Sequence, residues 1–155
     1  MSLEQEVELI RQFPIFSKIQ PAMQKLLCFS AERLTYAAGQ VMFNAGDAAD
    51  AAYIVIDGEI EISVPTPAGP IIVNTLGKNE ILGEIAIFGE VPRTATAKAT
   101  SRAETLKISK DLFIKVIREN PDAAIELIKI LAARLVNTTN QLTLTRSGGS
   151  GRTER

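Results

Sequence analysis

At 155 residues the chain has the length for one domain with a sizeable core and is short for two. Its 17 basic and 18 acidic residues nearly cancel, so no overall attraction to nucleic acid or anionic lipid is expected. The absence of histidine removes the commonest metal ligand and general base, and the single cysteine, Cys28, forms no internal disulfide; metal-dependent, Ser-His and Cys-His chemistry is therefore set aside.

Taken in chain order, residues 3 to 12, LEQEVELIRQ, place Leu3, Val7 and Ile10 at helical spacing, and Pro14 predicts a stop near Phe13. The acidic start at Glu4, Glu6 and Glu8 is unlike a signal peptide. No apolar run reaches membrane-spanning length, so a soluble, cytoplasmic protein without a membrane partner is expected. After the apolar segment FPIFSKI, expected to pack against later elements of the chain, a second short helix begins between Ser17 and Pro21 and runs through Leu27 to about Phe29. Cys28 within LLCFS reads as a small hydrophobe in place of a nucleophile.

From Glu32 the pattern changes to short runs rich in β-branched and aromatic residues. ERLTYA, QVMFNA, AAYIVI, EIEISV, IIVNTL, ATAKAT and ETLKIS are separated by turn signals, of which Asp57-Gly58 is the strongest hairpin cue. About eight short strands at this spacing imply an antiparallel sandwich, jelly roll or barrel. The PTPAGP tract is a loop by composition.

Residues 81 to 97, ILGEIAIFGEVPRTATA, hold the densest chemistry. Gly83 lets backbone approach a ligand closely, having no Cβ to clash. Glu84-Ile85-Ala86-Ile87 predicts one helical turn whose free N–H groups face an anion. Arg93, nine residues after Glu84, adds a charge-assisted contact to a phosphate, and the Thr94 hydroxyl and Ala95 N–H complete the cradle. Glu84, an acceptor repelled by phosphate, must face a donor such as a ribose hydroxyl. The bland alternative is a surface Arg-Glu ion pair of little consequence.

Gly83, Glu84, Ile85, Ala86, Ile87, then Pro92, Arg93, Thr94, Ala95 and Thr96 resemble the phosphate-binding cassette of cyclic-nucleotide-binding domains. The resemblance implies a β-roll, a Glu on the ribose, an Arg on the cyclic phosphate, and a non-catalytic receptor with no cofactor. Two positions depart from the family pattern. Asn79 stands where a second Gly is usual, and Asn tolerates a left-handed backbone; Leu82 replaces a Phe before the Gly-Glu pair.

Past the strands, Ser109 caps a short helix, DLFIKVIREN, and Asn120-Pro121-Asp122 opens a long one. Ile128, Leu131, Leu135, Thr138, Leu142 and Thr145 follow a three-four spacing. That pattern fits either a coiled-coil seam giving a homodimer or an amphipathic helix lying on its own roll. ARLVNTTNQL resembles the central helix of the catabolite activator protein family, which implies Thr138 and Thr139 at the purine, with Arg134 as another lid residue. The helix's own carbonyls are the alternative partners for both hydroxyls.

The expected layout is a helical segment over 1–30, a β-roll over 31–108 with the cassette at 82–96, lid helices over 109–145, and a flexible Gly/Ser-rich tail over 146–155. The DNA-reading domain of the activator family has no counterpart in these residues, so nucleic acid is not expected as a partner and an unidentified downstream protein is. The ligand expected is cyclic AMP, with cyclic GMP the alternative because Thr94 also suits a guanine amino group. A cupin-like enzyme is disfavoured by the missing histidines. A scaffold that has lost its ligand is disfavoured by the intact cassette.

Overall fold

The computed structural model describes the backbone of residues 2–153 and the side-chain surroundings of residues 2–140. Two helices open the chain: α1, Leu3–Arg11, and α2, Pro21–Ser30. The Ser2 hydroxyl accepts from Gln5 N–H while the Gln5 side chain returns to the Ser2 N–H, a capping box that satisfies two otherwise orphaned donors. Between the helices Phe13, Ile15, Phe16 and Ile19 are all buried, as the apolar FPIFSKI run predicts. Cys28 packs against the same cluster, and burial raises its thiol pKa, in keeping with a small hydrophobe.

Eight strands come next: β1, Glu32–Tyr36; β2, Val41–Phe43; β3, Ala51–Asp57; β4, Ile60–Val64; β5, Ile71–Leu76; β6, Ile81–Leu82; β7, Thr96–Ala99; and β8, Ala103–Ser109. They form two four-stranded antiparallel sheets, ordered β1-β8-β3-β6 and β2-β7-β4-β5. The β-roll is therefore as expected, but it is a pair of facing sheets, not a closed barrel. The strand absent from the sequence reading is β6, whose two residues are too few to show a period.

Strand β3 explains why the core lies on both sides of one sheet. Its first six residues, AAYIVI, are all buried, which a strand covered on both faces requires. Ala52, Ile54 and Ile56 face the helices with Phe13, Phe16, Phe113 and Leu127, whereas Ala51, Tyr53 and Val55, with Leu82 of the same sheet, face Ile60, Leu76 and Ala97 of the opposite sheet. Burying each of the large side chains contributes about 1.5–3 kcal/mol.

Three helices complete the chain: α3, Glu84–Gly89, between β6 and β7; α4, Lys110–Glu119; and α5, Pro121–Thr153. The Ser109 hydroxyl accepts from Leu112 N–H at 3.3 Å, the expected cap of α4. Asn120 breaks α4 from α5 with φ −131° and ψ 90°, and its amide donates to the Val116 carbonyl at 2.8 Å.

Helix α5 divides the three-four pattern between two faces. Ala123 and Leu127 are buried and Leu131 packs on the helical cluster, while Ile128 and Leu135 are 63% and 68% exposed. The side chains of Leu142 and Thr145 lie outside the described residues. The backbone helix continues through the Gly148-Gly149-Ser150-Gly151 stretch that composition assigns to a tail.

Candidate functional site

The cassette sits where β6 ends against β3. Gly83 takes φ +89°, a left-handed conformation, and an added Cβ would lie 2.6 Å from the Arg93 guanidinium and 3.0 Å from the Ala51 carbonyl. Glycine is thus required twice, by conformation and by close approach. Asn79, in the turn before it, has φ +71°, the left-handed backbone expected of an Asn in a Gly position.

A cavity of about 360 Å³ opens beside this turn, within the usual range for small-molecule sites. Leu82, Gly83, Glu84, Ile85, Ala86, Arg93, Thr94 and Ala95 all line it, and so do Arg134 and Thr138 of α5. Thr139, one step further round the helix, does not line it and is exposed. The rest of the wall comes from Phe43 and from the β4–β5 hairpin: Ile62, Val64, Val73, Asn74 and Leu76. Sequence reasoning missed this hairpin wall. Its signal was the alternation of EIEISV at β4, which shows an inward face without showing what that face encloses, whereas IIVNTL of β5 does not alternate.

Arg93 is 3% exposed. Its Nη2 donates to the Ala51 carbonyl at 2.6 Å and its Nη1 to the Gly83 carbonyl at 3.0 Å. The guanidinium lies over the Phe43 ring, 4.2 Å from the centroid, a cation–π contact that holds the plane in place. Asp50 is its nearest carboxylate at 3.6 Å and is mostly solvent-exposed. Burial lowers the Arg93 pKa, and the nearby carboxylates of Asp50 and Glu84 oppose that shift. A buried cation with its Nε unpartnered is well suited to an anion.

Glu84 is 1% exposed and heads α3. Its Oε1 accepts from Arg134 Nη1, and Arg134 Nη2 donates to the Ile81 carbonyl. Oε2 is buried without a partner. Burial raises the Glu84 pKa, with Arg134 the largest opposing influence. The cavity thus holds an anion-seeking cation, a donor-seeking carboxylate and, between them and the hairpin, aliphatic walls. Among the described residues no group of His, Cys, Asp and Glu could hold a metal ion. No described helix is long and apolar enough to cross a membrane.

With this geometry in view, the comparisons are specific. The family model for the cyclic nucleotide-binding domain matches residues 33–120. The CRP-like cAMP-activated global transcriptional regulator of Mycobacterium tuberculosis is 26% identical over 136 residues, covering 87% of this chain and 61% of the regulator. The chain therefore spans about three fifths of the length of that relative. Among solved structures, the Thermus thermophilus Catabolite Activator Protein superposes with a TM-score of 0.72 at 28% identity, over 85% of this chain and 62% of that one. The sensor domain of the transcriptional regulator DNR from Pseudomonas aeruginosa gives a TM-score of 0.77 at 23% identity, over 89% and 93%, a likeness of fold alone.

Proposed function

This chain belongs to the cyclic nucleotide-binding domain family, a regulatory and not an enzymatic one, and we propose that its cavity receives cyclic AMP in preference to cyclic GMP and passes that binding to α5. The observation that carries this reading is the pairing of a buried Arg93 with a buried Glu84 nine residues apart, Glu84 following Gly83 directly and Arg93 donating to the Gly83 carbonyl. Arg93 meets the cyclic phosphate, assisted by the Thr94 hydroxyl and the Ala95 N–H. Glu84 accepts from the ribose, and the purine lies along the hairpin wall under Thr138.

The preference for cyclic AMP draws on the likeness to the Mycobacterium tuberculosis regulator, which its name describes as cAMP-activated. It also draws on Thr138 lining the cavity, where a hydroxyl can meet the purine edge.

Coupling to α5 is a population shift. A nucleotide displaces the helix equilibrium only by as much as it binds one helix position more tightly than the other. Arg134 supplies the differential contact, because the carboxylate it holds is the one the ribose needs. The exposed apolar residues Ile125, Ile128, Leu135 and Val136 fit a second copy of the chain, so a homodimer through α5 belongs to the same reading.

Calorimetric titration of wild-type protein and Arg93→Ala with both nucleotides tests the site. Loss of the paired charge from a largely buried phosphate costs about 3–5 kcal/mol, so the variant should show no measurable binding. Equal affinity in the two proteins would refute the assignment.

A further inference from the structure

We infer that Phe43 is a positioning residue for the phosphate end of the cavity, its ring fixing the plane in which the Arg93 guanidinium meets an anion; the inference rests on the cavity being a nucleotide site. Two hydrogen bonds tether that guanidinium, from Nη2 to the Ala51 carbonyl at 2.6 Å and from Nη1 to the Gly83 carbonyl at 3.0 Å. A planar fork held at two points can still tilt about the line joining them. The Phe43 ring lies beneath the guanidinium, its centroid 4.2 Å from Arg93 Cζ, and blocks tilting on that side. With the plane set, so is the direction of the remaining donors, among them Nε–H, which is buried without a partner.

The backbone of β2 is built to deliver this ring. Val41 pairs with Lys98 and Phe43 with Ala97, so the register shifts between them and Met42 is the extra residue of a β-bulge. In a regular strand Val41 and Phe43 would share one face and Met42 would take the other. Here Met42 and Phe43 both pack against the buried cluster between the sheets, while Val41 is 41% exposed. Bulges re-aim side chains beside functional sites, and this one turns Phe43 to the cavity wall. The buried Tyr53 supports the ring from the next sheet, its own ring 5.8 Å away and inclined at 31°.

Phe43 is the one aromatic side chain among the described residues that line the cavity; Ile62, Val64, Val73, Leu76 and Leu82 are aliphatic. An aliphatic residue fills space equally well, but only a ring offers a negative face to a cation, and that attraction is strongest where water is excluded. At 3% exposure Arg93 meets that condition. Cyclic AMP and cyclic GMP carry the same phosphate, so Phe43 governs affinity for both alike and leaves the choice of base to other residues.

The test is calorimetric titration of the 155-residue chain with cyclic AMP and cyclic GMP, in wild-type, Phe43→Leu, Phe43→Met and Phe43→Tyr forms, each checked by thermal melting so that only folded proteins are compared. Loss of a desolvated cation–π contact should weaken both nucleotides by one common factor in the two aliphatic variants, roughly twofold to thirtyfold. Phe43→Tyr keeps the ring and should stay within about twofold of wild type, a rescue that filling space alone does not produce. Without nucleotide, exchange of the Arg93 Nε–H followed by NMR should quicken in the aliphatic variants and not in Phe43→Tyr. Aliphatic variants that bind as wild type does, a Phe43→Tyr weakened as much as they are, an altered ratio of the two dissociation constants, or unchanged Nε–H exchange would each overturn the inference. A wild-type chain that binds neither nucleotide overturns the reading of the cavity itself and this inference with it.

Discussion

Arg134 reaches Glu84 across fifty residues of sequence and holds both that carboxylate and the Ile81 carbonyl. One side chain of α5 therefore ties the helix to the first residue of α3 and to the end of β6. With 22% of its side chain exposed, Arg134 keeps contact with solvent, whereas Glu84 has almost none. The pair is thus asymmetric: Glu84 needs Arg134 more than Arg134 needs Glu84.

Arg134→Ala should lower stability by about 1–2 kcal/mol, less than the loss of a fully buried partner because Glu84 can take up a proton instead. The more informative readout is hydrogen exchange over residues 127–140 without nucleotide, which should quicken in the variant. Unchanged exchange there would mean that apolar packing of Leu127 and Leu131, not the ion pair, holds α5 down.

The pH dependence of stability derives from the raised pKa of Glu84, for which burial is the leading cause. In the folded state the carboxyl keeps its proton above the ordinary value of 4.5, at which the unfolded chain releases it. The folded state then binds more protons than the unfolded one, so stability contributed by this group falls as pH rises from that ordinary value through the folded-state value. Thermal melts of wild-type protein and Glu84→Gln across this range should show a shallower decline in the variant, which has no proton to lose. Parallel curves would place the titration elsewhere.

Gly83 and Gly58 offer a paired substitution in which only one partner touches the cavity. Both have left-handed φ, +89° and +91°, and a Cβ at Gly58 would lie 2.7 Å from the Ala103 Cα. Each change to Ala should cost about 1–3 kcal/mol from backbone strain and crowding. Only Gly83→Ala should also weaken nucleotide binding, because its Cβ pushes on Arg93; Gly58→Ala acts at the β3–β4 turn. Melting temperatures paired with titrations separate the two effects, and equal binding losses would contradict the placement of Arg93.

Much of this arrangement was legible in the sequence because its determinants are local. The Asp57-Gly58 turn, the Ser109 cap and the alternation from Glu32 onward each announce themselves within a few residues. Seven of the eight strands were readable for that reason, and β6 was not because two residues carry no period. The cassette was legible through the spacing of Gly83, Glu84 and Arg93. What spacing could not show is where those groups point in the folded chain: that Arg93 bonds to the Ala51 and Gly83 carbonyls and stacks on Phe43, or that the β4–β5 hairpin walls the cavity. Those contacts join residues from 10 to 50 positions apart, and only the packing of the sheets brings them together.

Helix α5 shows the same limit most clearly, and its outer face supports the last prediction. The three-four series read from sequence contains residues of both faces: Leu131 packs inward and Thr138 lines the cavity, while Ile128 and Leu135 point to solvent. The exposed face has its own three-four series, Ile125, Ile128, Ala132, Leu135 and Thr139, all exposed. Two such stripes on two chains would form a coiled-coil seam, each large apolar residue contributing about 1.5–3 kcal/mol when fully buried. Leu135→Glu, which sets a charge in the middle of that seam, should shift sedimentation from dimer to monomer. Leu135 does not line the cavity, so nucleotide affinity should change by no more than about threefold, under 1 kcal/mol. A wild-type chain already monomeric at high concentration would show that the stripe serves another partner, and a variant still dimeric would place the seam elsewhere on the molecule.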